Sequence, residues 1–568
     1  MHGIFRRGSG CLWRLSVCTL ILLWTSGYAT SQKTESKNSR GTIPAPKPVE
    51  TELEIAGYIY PGMFQREEWE LVRDVRPEVR PLLGWYDEGN PDAVAWQVKW
   101  AAEAGISVLF VDWYRNRGVS LFDHWLKAFL QCENRTAVRW AVMWANHNLP
   151  GSYSVAELKA ITQFWLDHYF ALPEYYQINE NPVVLLWDPH TIDNDLAAEA
   201  KRNGEIIPAG EGIRRALTLC RSMAQDAGYK DIHFICMYHA SDLKRDELEF
   251  IANAGFNELT VYSGFGMTWG RYLKERHEEM GPFYPYVKMT EIAEQWWQEC
   301  QLMNILPFIP WVPTGWDCRP RTFDREMVVT GRTPESFRKV CETAKAFCLA
   351  HNYKRIVLGP LNEWQEGSYL EPNAEYGFGM YEVLREVFAK RPQEGFTKFV
   401  RPEEVGCGPY DFPEVDLKEV TGWEFNGSTD GWYRHPCGTG RLREDLVESC
   451  VVTYRVRSDI PAMQIHVKPL ETSRFRQVRV RMKLYDGQPK GDERAVFYWG
   501  SEEHPIFCNG RVQREQSVSL PVVVDGEFHD YIFPLAENPQ WTGQVERFWF
   551  DPVNMSPGRA ALDFIRFE

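Results

Sequence analysis

A chain of 568 residues is too long for one ordinary core and implies two domains, one of them large. Its formal charge of -15 comes without any long Lys/Arg run, which excludes nucleic acid or an anionic membrane as a partner bound through clustered cations. Aromatic residues reach 14% and Trp alone numbers 23, which fits either core filling or stacking on the apolar face of a pyranose.

The chain begins with Arg6, Arg7 and Arg14 ahead of an apolar segment from Leu15 to Trp24, followed by the small residues Gly27 and Ala29. This reads as a secretory signal over residues 1–29, with a retained anchor as the alternative; the segment is short for spanning a bilayer. The expected location is secreted, periplasmic or extracellular, with no stable membrane insertion. Of the 13 Cys, removing Cys11 and Cys18 leaves an odd number without CxxC spacing, which excludes a full disulfide framework and a zinc ribbon. Cys407, Cys437, Cys450 and Cys508 are those available for pairing in an oxidising compartment. Residues 30–50, polar and Pro-punctuated, form a linker.

From residue 51 the pattern turns to short apolar runs: LEIAGYIYP, ISVLFVDWY, VRWAVMWANHN, NPVVLLWDPH, DIHFICMYHA, ELTVYSGF, ILPFIPWVP and RIVLGPLNEW. Helix candidates lie among them, including PDAVAWQVKWAAEAG, SVAELKAITQFWLDHYF, KMTEIAEQWWQECQLMN and PESFRKVCETAKAFCLAHN. Eight strands alternating with helical or connecting segments over residues 51–400 predict a (β/α)8 barrel of the TIM type. A doubly wound open sheet is the rival, and no Gly-rich fingerprint follows the first strand to support it or a nucleotide site.

Function on a barrel lies at the C-terminal strand ends. The candidate substrate-binding residues there are Tyr58, Tyr60, Asp112, Trp113, Trp144, Asn146, His190, Tyr238, Tyr262, Trp311, Trp316 and Asn362. His147, Trp187, Asp188, His239 and Asp317 stand at the same ends. Aromatic faces beside carboxylates suit a carbohydrate partner, and a pair of carboxylates supplies the acid and the base or nucleophile for glycosidic cleavage. Glu363 and Glu366, in LNEWQEGSYLEP, are the candidate catalytic pair. A helical turn puts i and i+3 on one face, at the close spacing of a retaining enzyme; an extended segment points them apart. No metal and no cofactor is expected.

AWQVKWAAEAGISVLFVDWY, WAVMWANHN and PLNEWQEGSYLEPNAEYGFGMYEVLREV resemble glycoside hydrolase family 99 and its WbsX-like, family-99-like relatives. The resemblance spans roughly residues 53–392, with NEWxEGxxxEP its most specific part. It implies a retaining, metal-independent endo-acting enzyme of the α-mannosidase type on a (β/α)8 barrel. Glu363 is then the general base that draws the proton from the sugar 2-hydroxyl, giving an anhydro-sugar intermediate, and Glu366 the general acid; Asp112, Trp113 and His190 would line the subsites. Gln365 departs from the family's usual His between the two acids.

Residues 401–420 are a Pro/Gly/acid connector, and residues 421–568 alternate in short runs that predict an all-β sandwich. It resembles the carbohydrate-binding jelly rolls appended to glycosidases, with a structural cap as the equal alternative; Trp423, Trp432, Tyr498 and Trp499 are its candidate sugar-stacking residues. Asn134, Asn426 and Asn554 begin sequon triplets. The expectation is a secreted, monomeric, retaining glycoside hydrolase for an α-linked polysaccharide or oligosaccharide, with no nucleotide. The alternatives are a WbsX-like glycosyltransferase and a non-catalytic glycan-binding protein.

Overall fold

In a computed structural model, the description covers residues 41–568 except 276–282, 323–327, 391–394, 414–416, 435–440, 444–449, 455–462, 486–488, 490, 502, 509–510 and 554–557. The expected signal peptide lies outside these residues. The chain divides into two compact units: residues up to Trp69, Glu78–Asp317 and Met327–Phe412, and then Glu70–Pro77, Cys318–Glu326 and Pro413–Glu568.

The first unit is a closed parallel barrel. Its strands are β1 (Glu54–Ile59), β2 (Val108–Asn116), β3 (Arg139–Trp144), β4 (Asn181–Leu186), β5 (His233–Met237), β6 (Glu258–Thr260), β7 (Trp311–Val312) and β8 (Arg355–Pro360), in the order β7-β8-β1-β2-β3-β4-β5-β6. Closure comes just before β7: the Leu259 N–H donates to Pro307 O at 3.0 Å and the Ile309 N–H to Leu259 O at 2.9 Å. That ring of eight disposes of the open-sheet rival.

Local signals explain where the helices sit. Helix Pro91–Ala104 starts on Asn90, whose side chain accepts the Asp92 N–H, and stops at Gly105 with φ 90°. Helix Val155–His168 is capped by Ser154, and helix Pro334–His351 by a reciprocal Thr333/Ser336 box. The strands are apolar on both faces because the helices cover one face and the barrel interior the other. Trp96, Trp100, Trp140, Trp165, Trp296 and Trp297 fill the fully buried interior of this unit, so much of the Trp excess is packing. Among the described residues no helix is long and apolar enough to cross a membrane.

The second unit is an antiparallel sandwich. One sheet orders Arg441–Arg443, Cys450–Tyr454, Gly558–Phe567, Val478–Tyr485 and His529–Phe533, with Gly422–Trp423 beside Gly558–Phe567; the other orders Tyr433–Arg434, Met463–Glu471, Gln544–Asp551, Arg494–Gly500 and Ser517–Pro521. Strict alternation along Val478–Tyr485 turns Val478, Val480, Met482 and Leu484 into a shared core with Phe497, Phe548 and Phe550 from the other sheet. Trp423, Trp432 and Trp499 belong to that core, at 3%, 1% and 0% exposure, and Tyr498 is buried against Trp549. The sugar-stacking expectation is therefore corrected for all four: Trp423, Trp432 and Trp499 turn into the shared core, and Tyr498, on the opposite face of its strand from Trp499, is buried in a separate cluster with Ile506, Val512 and Trp549. Cys407 is a buried free thiol; Cys437 lies outside the described residues, and only the backbone is described at Cys450 and Cys508. The Asn134 amide is engaged, donating to Ala95 O at 2.8 Å, and Asn554 lies outside the described residues.

Candidate active site

At the C-terminal mouth of the barrel, strand alternation decides which side chains enter. On β2, Phe110 and Asp112 point inward. Phe110 meets Tyr58 at 5.7 Å between ring centroids, and Asp112 Oδ2 accepts a 2.9 Å hydrogen bond from the Tyr262 hydroxyl. Trp113, one residue on, faces the helix layer: it packs on Phe164 and Trp165 and donates to the Tyr169 hydroxyl at 3.2 Å.

The same parity corrects other expectations. Trp144 faces Tyr153 and Trp165 in the helix layer. Tyr238 packs on Trp296 and donates to Asp242 O at 2.8 Å. His190 sits on helix Pro189–Arg202, where its ring stacks on Phe250 at 4.4 Å and its Nε2 meets Glu247 Oε1 at 2.6 Å; that carboxylate raises the imidazole pKa. Asp188 caps the same helix by accepting from the His190 and Thr191 N–H groups.

The side chains that do enter the mouth form a belt of rings. Tyr114 lies 5.9 Å from His147, His147 4.6 Å from Trp187, and Trp187 4.2 Å from His239 and 5.2 Å from Tyr262. Tyr262 rests on Tyr58 at 4.8 Å, and the Tyr58 hydroxyl donates to Val261 O at 3.2 Å, so Tyr58 is the fully buried floor beneath the belt. Trp187 is half-buried and His239 exposed, with its Nε2 2.9 Å from Trp187 O.

Two carboxylates are buried within this belt. Asp112 is 4% exposed, with Oδ1 lacking a hydrogen-bond partner. Burial lifts its pKa well above the ordinary range, against the smaller opposing effect of the Tyr262 hydrogen bond. The Tyr262 hydroxyl is pushed up by burial first and then by the charges of Asp112 and Glu363, which places the Glu363 carboxyl in electrostatic reach of it.

Glu363 reaches that position through a small hairpin at the end of β8. Asn362 and Glu363 pair with Tyr369 and Ser368, and Trp364–Glu366 make a 3₁₀ turn closed by Gly367 at φ 63°. A Cβ on Gly367 would stand 2.4 Å from Asp317 N, so that turn requires glycine. The segment is thus neither wholly extended nor α-helical: Glu363 ends the extended part, and a three-residue turn, which returns every third side chain to one side, carries Glu366. Glu363 is 5% exposed and Glu366 half-buried, with its carbonyl accepting the Asp317 N–H at 2.6 Å. Trp364 stacks on Tyr369 at 4.3 Å, and the Arg332 guanidinium covers Tyr369 at 4.4 Å. Gln365 turns away, donating to Glu68 Oε2 at 2.5 Å.

The remaining candidates hold the mouth in shape. Asn146, at 0% exposure, exchanges two hydrogen bonds with the Asp188 backbone, at 2.6 and 2.7 Å. Asn362 does the same for the Tyr60 backbone, at 2.9 Å each. Trp311 is fully buried against Gly264, and Trp316 stacks on Phe265 at 4.5 Å. The strand-end reading missed Tyr86, Glu88, Gln97 and Glu371: Glu371 Oε2 accepts from the Tyr86 hydroxyl at 2.7 Å and the Gln97 amide at 3.2 Å, and burial pushes its pKa up to about 8. Three of these lie on the connection and helix between β1 and β2, far in sequence from the LNEW segment. Among the described residues no cluster of His, Cys, Asp or Glu is placed to hold a metal ion.

The chain resembles known proteins across the barrel. A protein of Xanthomonas campestris pv. campestris, the uncharacterized protein WxcX, is 19% identical over 335 residues, 56% of this chain and 44% of that protein. The chain thus spans less than half the length of the curated relatives it matches. Among solved structures, a glycoside hydrolase-like protein is 17% identical with a TM-score of 0.44, covering 61% of this chain and 97% of its own. The family-99 endo-α-mannosidase of Bacteroides thetaiotaomicron is 16% identical with a TM-score of 0.40, covering 59% and 95%. The family described as glycosyltransferase WbsX matches residues 73–384, from the end of the helix after β1 past the hairpin bearing Glu363 and Glu366; the protein is a member of that family.

Proposed function

We propose that the protein is a glycoside hydrolase that cleaves an α-linked polysaccharide or oligosaccharide with retention of configuration. The observation that carries this reading is the hairpin after β8, which presents a buried Glu363 and a half-buried Glu366 three residues on, at the C-terminal mouth of the barrel. In this reading Glu363 takes the proton of the sugar 2-hydroxyl as that oxygen attacks its own anomeric carbon. Glu366 gives a proton to the departing oxygen and then takes one from the water that opens the anhydro ring, while Glu363 returns its proton to the released 2-oxygen. Trp187 and Tyr262 offer faces for the sugar, and Asp112 offers its Oδ1 to a hydroxyl. A signal peptide over residues 1–29 fits a substrate too large to enter the cell.

The test is hydrolysis of α- and β-linked mannans, glucans and galactans by the full chain, with Glu363→Gln and Glu366→Gln beside it. Loss in both variants of an activity present in the wild type supports the reading, and near-normal activity in both overturns it. The family description favours a second reading, a glycosyltransferase. Transfer from sugar nucleotides to the same glycans, with no hydrolysis, is the result that would replace the first reading by the second.

A further inference from the structure

We propose that Glu88 is a positioning residue for the reaction at Glu363, acting by tying three mouth loops to one carboxylate. The inference rests on the reading of Glu363 as a reacting group. Glu88 belongs to the segment GWYDEGNP that precedes helix Pro91–Ala104, and its side chain has 0% exposure. Its Oε2 accepts the Met63 N–H at 2.7 Å, from the loop after β1, and lies 3.4 Å from His124 Nε2, at the start of helix His124–Phe129 after β2. Its Oε1 accepts the Asn362 amide at 2.6 Å, from the hairpin after β8.

Asn362 is the relay. Beyond Ile59 the β1 strand has ended, yet the Tyr60 N–H and C=O are both satisfied, by Asn362 Oδ1 and Nδ2 at 2.9 Å each. The amide therefore works as an extra rung between β1 and the hairpin, and its second N–H is spent on Glu88. With Oδ1 accepting from Tyr60 and Nδ2 donating to both Tyr60 and Glu88, Asn362 has one orientation. Glu363 is the next residue in the same hairpin, and the backbone from which its side chain leaves is held by that tie.

A buried carboxylate is an expensive way to brace a loop. Burial strips it of water, and only the hydrogen bonds it accepts offset that cost. A neutral side chain would brace Met63 alone at lower cost. The carboxylate suits the place because two donors from separate loops, the Met63 N–H and the Asn362 amide, each meet one of its two oxygens, with His124 Nε2 beside the first.

The test uses the full chain with Glu88→Gln, whose amide necessarily turns a donor toward either Asn362 or Met63. Glu88→Met, of similar volume and without a buried charge, serves if the first variant does not fold. Two readouts are taken, steady-state cleavage of the glycan that wild type hydrolyses best and amide hydrogen exchange in peptides covering 58–64 and 361–370. The expected result is a fall in kcat of about 10²-fold with KM within about twofold, because misplacement of a reacting group costs rate rather than binding. Exchange should rise in those two peptides and stay as in wild type elsewhere in the barrel. Unchanged exchange there, or kcat within about twofold of wild type, overturns the proposal, as does exchange that rises evenly through the barrel. Should wild type hydrolyse none of the glycans, the hydrolase reading fails and the exchange pattern alone judges the tie: local deprotection keeps the three-loop clamp, and its absence removes it.

Discussion

Trp187 and Trp432 have the same side chain, and each stands among other rings. Trp432 is 1% exposed, 5.1 Å from Trp423, in a cluster with Met463 and Ile465 where nothing polar is asked of it. Trp187 is half-buried between His147 and His239, with Tyr262, Asp112 and Glu363 beyond it. The sandwich uses aromatic bulk to exclude water from an apolar core. The barrel mouth uses the same bulk to surround carboxyl groups that are costly to bury. Neither abundance of Trp nor burial of an acid alone distinguishes the regions, since Asp551 is buried in the sandwich too; the barrel mouth differs in setting its acids at strand ends beside a half-buried Trp187.

The largest effect that separates the two regions is on rate. Glu363→Gln and Glu366→Gln should each lower turnover by about 10²–10⁴, while Asp551→Asn, at a buried acid of the sandwich, should leave turnover unchanged. Equal losses at Asp551 would erase the contrast. Next comes stability: Trp432→Ala should cost about 3–5 kcal/mol in chemical denaturation of the second unit, as loss of a large core ring does. A mild loss there would mean that the sandwich interior is looser than its burial implies.

The same pH effect operates in both regions, since burial pushes the Asp551 carboxyl of the sandwich up to about 8 as it does Glu371 in the barrel. Glu371 holds its proton to about 8 in the folded chain, against 4.5 for an exposed carboxyl, because burial outweighs the hydrogen bonds from Tyr86 and Gln97. Its folded pKa is raised, so its contribution to stability is fully present below about 4.5 and is lost as pH rises to about 8. Glu371→Gln should therefore gain on wild type progressively across that window, by up to about 4 kcal/mol, read from denaturation at pH 5 and pH 8. A constant difference between the two pH values would show that Glu371 does not titrate there. The smallest effect is on binding: Trp187→Ala should weaken glycan affinity by about 1 kcal/mol with little change in stability, measured by calorimetry. Trp113→Ala, in the helix layer, should instead destabilise the barrel by a few kcal/mol.

The eight strands were legible because each is a short run apolar on both faces, and the helices because Asn90, Ser154 and Thr333 announce their starts. That double-faced burial is also why the site was only partly legible. When both faces of a strand are apolar, the alternation that tells inside from outside vanishes, so Trp113 looked as suitable as Asp112, and His190 and Tyr238 displaced Trp187 and His239. Tyr262, Asp112 and the Glu363/Glu366 pair were singled out because acids and a tyrosine at strand ends have few structural uses. Glu88 and Glu371 were missed for a different reason. Their partners lie 274 residues away, Asn362 for Glu88 and Gln97 for Glu371, and no local pattern encodes such a contact.

The most direct test of the central claim is a proton NMR time course of wild type and Glu363→Gln on the glycan that wild type cleaves best, following the anomer of the first-formed product. In the proposed reaction the 2-hydroxyl attacks first and a water second, two displacements at one carbon, so the account predicts a product of retained configuration from wild type. Glu363→Gln should form that product at least about a hundredfold more slowly. An inverted first product, or a Glu363→Gln time course that overlays wild type, contradicts the account and would move the second carboxylate to another acid of the mouth, Asp112 first.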